Sequence, residues 1–568
     1  MLGRKRISLA GGYLLLAVLV TLPSRGLLGN PDIDVWNHVW GYWWFAHALS
    51  AGQLPWHTHL LGAPGGGTLY FVDPLGAIAA LPLTMVGGPA LAYNVVLVAR
   101  VALAGVAAHV ACEELFGEGP HAWVAGVAYA ASPFLLCELA NGISEVTAVW
   151  YLPAALWTAA RALRLNRTSD WVWVGVCGGM TTLANFYYGL TAAFLVGPYL
   201  LWYRGVVPGR SFVRGAAVAA VVAGLIAAPG LLAMHASVLA ADPLVLRSAS
   251  RNMQLARHNA VDPRVYFMPG HFASVDLQAL YGEPFRHTGY LRLSILFLAG
   301  VAGLRNGVRT RGLFVCGALA LMLGLGPYLW WDGEWVKVGN NLLSLPFRWC
   351  QQLVPALAIT HPLRLSLGAQ AVFCVLAGGA MAGRARRLIA LAVLVPLAET
   401  AFASNATWPL PTSSVEVPRL YTTIAADPDR RAVLDLPAEV GTSMATSRYF
   451  FFQTVHGHPV PYKPDARAGS TGDPETFAIF PHPMRHPGGG DSFALIHRLT
   501  QTDLAHLVSV YGWIIVHTDL SERVDATGLF EMMIEPELGA PTRDGYLHYW
   551  RLPAAGSGKE GERSADGP

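Results

Sequence analysis

The chain has 568 residues, of which 53% are hydrophobic and 13% are charged, and its mean hydropathy is +0.40. Because soluble domains carry about 25% charged residues, this composition excludes a soluble protein and predicts an α-helical polytopic membrane protein. The formal net charge of +3 at pH 7 says little about partners. We expect no nucleic-acid partner.

The first predicted element is a membrane span at about residues 8–28. It follows a basic N-terminus, as in a signal peptide, but no convincing small-residue cleavage site comes after it, so we interpret it as an uncleaved signal anchor. Just beyond it lie Asp32 and Asp34, followed by a tryptophan-dense amphipathic helix. Carboxylates are expensive to hold near hydrocarbon, whereas tryptophans favour the headgroup region. This combination indicates an enzyme that acts on a lipid-linked substrate at the membrane surface.

Further apolar runs of about the 20 residues that cross a bilayer follow along the chain. The stretch 74–88 is also apolar, but prolines and glycines interrupt it. If it does not cross, the remaining runs place all five clusters of basic loop residues in the cytoplasm, as the positive-inside rule requires, so we interpret it as re-entrant or interfacial. The eleven predicted spans lie at about 8–28, 90–113, 121–137, 146–163, 171–187, 189–203, 215–235, 289–304, 311–330, 364–383 and 387–403.

This topology places the N-terminus in the cytoplasm and the protein in the plasma (inner) membrane, with a transmembrane domain at 1–403. The tail from 404 to 556 has more charge, Pro and His and contains no span, so it predicts a small exported α/β domain. Residues 557–568 have the composition of a disordered tail. The predicted exported segments are 29–89, 138–145, 236–288, 331–363 and the tail. Within the tail we expect strands at 431–437, 513–517 and 546–552 and a helix at 499–511.

Asp34 and Asp32 are the predicted catalytic residues. A carboxylate can act as general base on a hydroxyl or amide acceptor, or it can bind a hard divalent ion. On an extended segment the two side chains would face the same side, whereas on a helix they would diverge by about 200°. Alternatively, Asp34 caps the helix that begins at Val35, and capping does not exclude catalysis.

Other residues of the predicted exported face could contribute to the same site. Asp73 opens the 74–88 stretch, and Glu138 and Glu145 bracket a short loop that must share the surface of the first loop. These two glutamates would complete a metal site or be solvated loop charges. Tyr188, at the next exported turn, would contact a sugar or anchor the protein in the aromatic belt.

Three arginines are predicted to bind an anionic group. Arg100 lies inside a span, where a cation needs a partner or a polar cavity, so it would contact the phosphate of a lipid carrier or form a structural salt bridge. Arg264 and Arg364 belong to a set of exported cations that departs from the positive-inside bias. This departure favours an anionic ligand such as a phospholipid headgroup or a pyrophosphate, although membrane phospholipid at large or internal ion pairs would also explain it. The other members are His235, Arg247, Arg251, Arg257, His258, His271 and Arg348.

Several motifs along the chain form a recognisable series. They include Asp34-Val-Trp36-Asn-His38-Val-Trp40, Asp73-Pro74, Ala92-Tyr93-Asn94, Asn141-Gly142, Phe186-Tyr187-Tyr188, Pro362-Leu-Arg364 and, in the tail, Tyr449-Phe-Phe-Phe-Gln453. This series resembles that of large bacterial and archaeal multi-span proteins grouped with the GT-C membrane glycosyltransferases, and the resemblance covers most of the chain. It adds Trp36 and His38 to the predicted substrate-binding residues.

The resemblance implies an inverting transferase that moves a sugar from a polyprenyl-phosphate donor to a cell-envelope lipid, glycan or protein on the exported face, surrounded by membrane lipids. In that fold an acid of the first loop is the catalytic base or a metal ligand, and Asp34 matches this position best. The first loop has Asp-Ile-Asp rather than an Asp-Asp or Asp-Glu pair, which leaves the second acid open. We expect a metal-independent mechanism, with a divalent cation (Mg²⁺ or Mn²⁺) as the alternative.

Two functions from other classes remain open at this point. A transporter or flippase of lipid-linked sugars would use the same basic cavity without chemistry, but transporters usually have paired broken helices, and only 74–88 is broken here. A non-catalytic envelope assembly protein would bind its partner through the exported tail.

Overall fold

The computed structural model describes residues 2–22, 26–71, 73–244, 249–269, 286–306, 308–353, 359–440, 443–464, 472–480 and 498–554. Two cations of the exported set, Arg247 and His271, and the predicted disordered tail 557–568 lie outside the described residues.

Helices dominate the chain up to residue 403, and one lies at each segment predicted as a span. They are α1 (Leu2–Thr21), α2 (Val35–Ser50), α3 (Pro74–Phe116), α4 (Ala122–Ala130), α5 (Pro133–Asn141), α6 (Tyr151–Leu165), α7 (Thr168–Ala184), α8 (Phe186–Trp202), α9 (Gly209–Leu239), α10 (Ala249–His258), α11 (Leu293–Asn306), α12 (Val308–Gly324), α13 (Pro346–Leu353), α14 (Leu367–Ala380) and α15 (Arg386–Ala403). Among the described residues, four helical segments are long and apolar enough to cross a membrane, namely Pro74–Phe116, Ala122–Asn141, Gly209–Leu239 and Pro362–Ala380.

Small residues allow neighbouring helices to approach closely, as is usual between membrane helices. At the contact of α7 with α9, a Cβ atom on Gly175 would lie 2.5 Å from the carbonyl oxygen of Ala219. A Cβ atom on Gly179 would lie 2.7 Å from Cβ of Ile226. Glycine is therefore required at both positions by the closeness of the two backbones.

The stretch 74–88 is the first limb of the bent helix α3. The bend lies at Gly88, whose φ of +81° and ψ of 167° interrupt the helix, and Pro89 follows it. A positive φ is accessible to glycine without a steric penalty, and proline offers no N–H to continue the hydrogen-bond ladder. The broken segment predicted from the sequence is therefore a helical limb that ends at a kink, and its membrane placement stays a prediction.

The tail combines a four-stranded mixed sheet with short helices. The sheet order is β11 (Thr542–Asp544), β12 (Leu547–Arg551), β10 (Tyr511–His517) and β9 (Ala432–Leu436). Strand β10 runs parallel to β9 and antiparallel to β12. Both β9 and β10 are buried along their whole length, which explains their near-continuous apolar sequences. The helices are α16 (Arg419–Ala425), α17 (Arg448–His456), α18 (Pro474–Ile479), α19 (Gln501–Val510), α20 (Thr518–Arg523) and α21 (Leu529–Leu538).

The predicted strands and helix of the tail therefore correspond to β9, β10, β12 and α19. The remaining strands are two-residue ladders outside this sheet, and β1 pairs antiparallel with β8. They are β1 (Leu27–Leu28), β2 (His57–Thr58), β3 (Gly67–Thr68), β4 (Trp330–Trp331), β5 (Glu334–Trp335), β6 (Lys337–Val338), β7 (Asn341–Leu342) and β8 (Thr412–Ser413).

The tail packs against the first loop. The indole N–H of Trp40 donates to the side-chain oxygen of Gln453 at 2.7 Å, and the ring of Trp36 lies 5.3 Å from that of Phe451. Helices α2 and α17 therefore share an aromatic interface, and the tryptophans predicted to lie at headgroup depth are largely used to bind the tail.

The close contact of α7 and α9 gives a stability prediction. Gly179→Ala is expected to lower the free energy of unfolding by about 1–3 kcal/mol, because the new methyl group would overlap Ile226. Gly178→Ala is the matched control, since the nearest atom to its Cβ would be Cβ of Ala223 at 3.7 Å, an ordinary contact. Thermal unfolding in detergent measures both variants, and equal midpoints would contradict the proposed packing constraint.

Candidate functional site

Asp34 lies at the start of the amphipathic helix of the first loop. Residues 31–34 form a turn, and α2 begins at Val35. Asp34 occupies the N-cap position, but its side chain makes no hydrogen bond to the helix backbone; its Oδ1 accepts from Nδ2 of Asn37 at 2.6 Å instead. The side chain is 19% exposed. Asp34 therefore stands at the cap position while its carboxylate remains available for chemistry.

His38 lies one helical turn beyond Asp34 and between two carboxylates. Its Nε2 is 3.9 Å from Oδ2 of Asp34 and 3.4 Å from Oε2 of Glu145. Its Nδ1 is 3.1 Å from Oγ of Ser144, which donates its own proton to Oδ2 of Asp73 at 2.7 Å. Ser144 Oγ must then accept from Nδ1–H of His38, so Nε2 faces the two acids. An unprotonated Nε2 would present a lone pair to the carboxylates of Asp34 and Glu145. A proton on Nε2 or on one of the two carboxyl groups removes this repulsion.

Glu145 is the second acid of this group, and it is buried. It begins a 3₁₀ turn, Glu145–Thr147, that precedes α6, and within the described residues its Oε2 has no hydrogen-bond partner. Burial raises the pKa of Glu145 above the ordinary carboxyl value, against the opposing effects of His38 and Arg364, because desolvation disfavours the charged form. We call Asp34, His38 and Glu145 the carboxylate–histidine cluster.

A buried ion pair supports this cluster through Ser144. The guanidinium of Arg100 donates to the two carboxylate oxygens of Asp73 at 2.7 and 3.0 Å and to the carbonyl oxygen of Ser144 at 2.5 Å. Asp73 also accepts from the hydroxyl of Tyr42 at 2.9 Å and from the N–H of Gly76 at the start of α3. Both charges are buried and engaged with each other, which is the structural salt bridge given as the alternative for Arg100; contact of either residue with substrate stays a prediction.

A second group of charged side chains lines a small, partly open cleft. Glu138 and Arg364 were expected in the site, and the structure adds His287 and His361. Oε1 of Glu138 lies 3.2 Å from Nδ1 of His287. The cleft therefore combines one buried acid with three side chains that carry or accept positive charge.

Arg364 connects this cleft with the carboxylate–histidine cluster. The positive charge of Arg364 favours the ionised form of both Glu138 and Glu145. The guanidinium lies over the ring of Tyr187, 5.1 Å from its centre, and Nε is buried without a hydrogen-bond partner in the described part of the chain. The guanidinium thus lines the cleft while its unpaired Nε is buried, and a planar guanidinium at a cleft is suited to an anionic oxygen ligand.

Trp36 and Tyr188 do not contribute to this cleft. Trp36 is buried and its indole N–H donates to the carbonyl oxygen of Pro31 at 3.0 Å. Tyr188 is fully buried and its hydroxyl donates to the carbonyl oxygen of Val146. Neither side chain reaches an open surface in this structure, and contact of these two residues with substrate stays a prediction.

Arg264 also has internal partners. Its guanidinium is 2.7 Å from a carboxylate oxygen of Asp262 and 2.9 Å from one of Asp332, and it stacks on Trp331. The structure therefore shows Arg264 in an internal ion pair, which was given above as an alternative to binding an anionic ligand.

Asp32 faces away from the partners of Asp34. Its carboxylate binds Arg523 at 2.7 Å and Ser443 at 3.1 Å, both in the tail. The segment that carries the two aspartates is a turn rather than the extended strand on which both side chains would face one pocket. Only Asp34 of the predicted catalytic pair therefore joins the carboxylate–histidine cluster.

Sequence reasoning missed three residues that build the site: Ser144, His287 and His361. His361 stands three residues before Arg364, in the same predicted exported loop, so a search for polar neighbours of the expected arginines would have found it. Ser144 and His287 offered no such signal, since a serine in a short loop and a histidine before a span are common.

The donor set was also tested against a divalent cation. In the ranges that the structure describes, no three His, Cys, Asp or Glu side chains are arranged to hold a metal ion. Nε2 of His38 lies 3.4 Å from Glu145 and 3.9 Å from Asp34. We derive no step through a metal ion, and metal dependence stays a prediction.

Comparisons with known proteins identify the fold. The chain is similar to the oligosaccharyltransferase of Archaeoglobus fulgidus tethered with an acceptor peptide, with a TM-score of 0.51, 12% identity and coverage of 92% of this chain and 71% of that one. It is also similar to the mycobacterial arabinofuranosyltransferase AftD, with a TM-score of 0.56, 16% identity and coverage of 97% of this chain and 42% of that one. Both are GT-C glycosyltransferases, so the chain has the GT-C fold of an integral membrane protein. No family model and no curated protein sequence matches the chain.

The ion pair of Asp73 and Arg100 predicts a large loss of stability when one partner is removed. Arg100→Leu is expected to lower the free energy of unfolding by about 3–5 kcal/mol, because it leaves a buried carboxylate without its counter-charge. Arg164→Gln breaks the exposed pair with Glu114 and is expected to cost less than about 1 kcal/mol. Unfolding in detergent measures both. A stable Arg100→Leu variant that loses anion binding would instead favour the phosphate interpretation.

The raised pKa of Glu145 predicts a pH dependence of stability. A carboxyl group whose folded-state pKa is raised stabilises the fold below its unfolded pKa of about 4.3, and this contribution is lost as the pH rises through the folded-state pKa. We therefore expect the unfolding midpoint of the wild type to fall relative to Glu145→Gln as the pH rises above about 4.5. Glu537→Gln, at an exposed glutamate, is the control and should parallel the wild type. Parallel curves for Glu145→Gln would contradict the prediction.

Proposed function

We propose that the protein is an inverting membrane glycosyltransferase that moves a sugar from a polyprenyl-phosphate donor to a cell-envelope lipid, glycan or protein. The observation that carries this proposal is the partly exposed carboxylate of Asp34 in a cluster whose Glu145 also feels the charge of Arg364, within a GT-C fold. We further propose eleven membrane spans in the plasma membrane, with the N-terminus in the cytoplasm and the site and tail on the exported face.

Asp34 is the general base in this proposal. A base must lie within reach of the acceptor proton and must be held in one orientation. The hydrogen bond from Asn37 occupies Oδ1 of Asp34 and orients the carboxylate, while Oδ2 is 3.9 Å from His38, beyond hydrogen-bond distance. Oδ2 is therefore the atom that would take the proton of the acceptor hydroxyl or amide.

His38 and Glu145 control the charge around this base. The single proton that their geometry requires keeps the cluster from accumulating two uncompensated negative charges beside Asp34. Ser144, held by Asp73 and Arg100, orients the imidazole through Nδ1. These residues act on Asp34 and do not themselves contact the sugar.

The cleft of Arg364 receives the phosphate of the donor. The leaving phosphate gains negative charge as its bond to the sugar breaks, and a guanidinium stabilises that charge. His287 and His361 also line the wall of the cleft. Since the donor is already activated as a phosphate ester, no nucleotide-binding loop is needed.

The reaction then requires one displacement. The acceptor attacks the anomeric carbon from the face opposite the phosphate and loses its proton to Asp34, and the phosphate leaves with the electron pair of the broken bond. One displacement inverts the anomeric centre.

In the first test, the purified protein is incubated with a polyprenyl-phosphate hexose and a crude lipid and glycan extract that supplies the acceptor. Mass spectrometry then measures consumption of the donor. Asp34→Asn is expected to reduce turnover by at least about 100-fold while the protein still folds and inserts, because it removes the base. Asp242→Asn, at an exposed carboxylate paired with His57, is the control. We expect turnover to persist in the presence of EDTA.

Wild-type turnover by Asp34→Asn would contradict the assignment of the base. Binding of the donor without its consumption, for every acceptor tried, would favour transport of the lipid-linked sugar instead.

A further inference from the structure

The contacts of Asp32 join the first loop to the far end of the chain. One N–H of the Arg523 guanidinium donates to Oδ1 of Asp32 at 2.7 Å, and the hydroxyl of Ser443 donates to the same oxygen at 3.1 Å. A second nitrogen of Arg523 lies 3.3 Å from Oγ of Ser443, and the backbone N–H of Met444 donates to the carbonyl oxygen of Asp32 at 2.8 Å. The tail therefore binds both the side chain and the backbone of one residue.

The same turn is held from the other side by the transmembrane part. The N–H of Asn30 donates to the carbonyl oxygen of Ala140, at the end of α5, at 2.9 Å. The side-chain oxygen of Asn30 accepts from the N–H of Asp32 at 2.9 Å, and Ile33 is buried. The turn is thus fixed between α5 and the tail, and Asp34 is its last residue before α2 begins.

We propose that Asp32 and Arg523 are positioning residues for the reaction, which rests on the proposed function of Asp34. Arg523, the last residue of α20, holds the turn so that the carboxylate of Asp34 keeps its orientation toward Asn37 and the cluster. Asp32 does not take a proton from the acceptor. The tail therefore contributes to turnover without contacting substrate.

The exposure of this pair separates a positioning role from a stabilising one. The side chains of Arg523 and Asp32 are 40% and 32% exposed, and ion pairs so exposed contribute little to global stability. A displacement of a catalytic group by about 1 Å, in contrast, can reduce turnover up to about 100-fold. Loss of the pair should therefore lower kcat with little change in KM or in the unfolding midpoint.

A charge exchange distinguishes positioning from catalysis. Arg523→Gln and Asp32→Asn are each expected to lower kcat by about 10-fold or more with KM within about two-fold. The double variant Asp32→Arg with Arg523→Asp restores an attractive pair and is expected to return kcat to within about three-fold of the wild type. Arg551→Gln is the control, since it breaks the pair of the exposed Arg551 with the buried Asp427 elsewhere in the tail and should leave kcat unchanged.

Hydrogen–deuterium exchange gives a second readout that does not depend on activity. In lipid nanodiscs, peptides covering residues 26–50 are expected to exchange faster in Arg523→Gln than in the wild type or in Arg551→Gln, and the charge-exchanged double variant should restore protection. This readout tests whether the pair holds the first loop even if the wild type shows no transfer, so failure of the pair and failure of the proposed function are distinguishable.

Three results would overturn the positioning role. The first is a kcat of Arg523→Gln equal to that of the wild type. The second is an inactive double variant alongside an active Arg523→Gln, which would make Asp32 a catalytic residue. The third is unchanged deuterium exchange of the first loop in Arg523→Gln.

Discussion

The buried ion pair of Asp73 and Arg100 is the interaction on which the rest of the site depends. Charges removed from water must be paired and hydrogen-bonded, and here both carboxylate oxygens and the guanidinium find partners. The pair ties the first turn of α3 to Ser144, and Ser144 in turn orients His38. A local requirement for charge neutrality thus determines where an imidazole lies between two acids. The arginine that the sequence offered as a phosphate ligand is a structural support for the residues that could perform chemistry.

The charges of the site divide into two neighbouring groups with different tasks. The carboxylate–histidine cluster is acidic and holds a proton that burial of Glu145 favours. The cleft of Arg364 places a guanidinium and two imidazoles beside the carboxylate of Glu138. An acidic group able to take a proton, adjacent to a basic group able to receive a phosphate, is the distribution that glycosyl transfer from a lipid phosphate requires. Arg364, whose charge acts on both Glu138 and Glu145, couples the two groups.

The first loop has two supports, and each belongs to a different part of the chain. Helix α2 packs against the transmembrane helices through Tyr42 and His38 and against the tail through Trp40 and Trp36. The turn that precedes α2 is also held from two sides, by Ala140 of α5 and by Arg523 of the tail. The tail is therefore part of the structure that presents Asp34, which gives a physical reason for an α/β unit to follow the transmembrane helices in one chain.

The sequence by itself determined the class of protein, the positions of the helices and the buried strands of the tail, because these follow from local composition and periodicity. It also determined that Asp34, Glu145, Glu138 and Arg364 belong to loops or span ends that can meet. Only the tertiary structure decided the partners: Arg523 binds Asp32 across 491 residues, and Ser144 binds His38 across 106. It also decided that Arg100, Tyr188 and Arg264 are satisfied internally, while Arg364 lines a partly open cleft. The physical reason is that a side chain's partners depend on the neighbours that packing brings from distant segments. The sequence around a residue does not specify which segments those are.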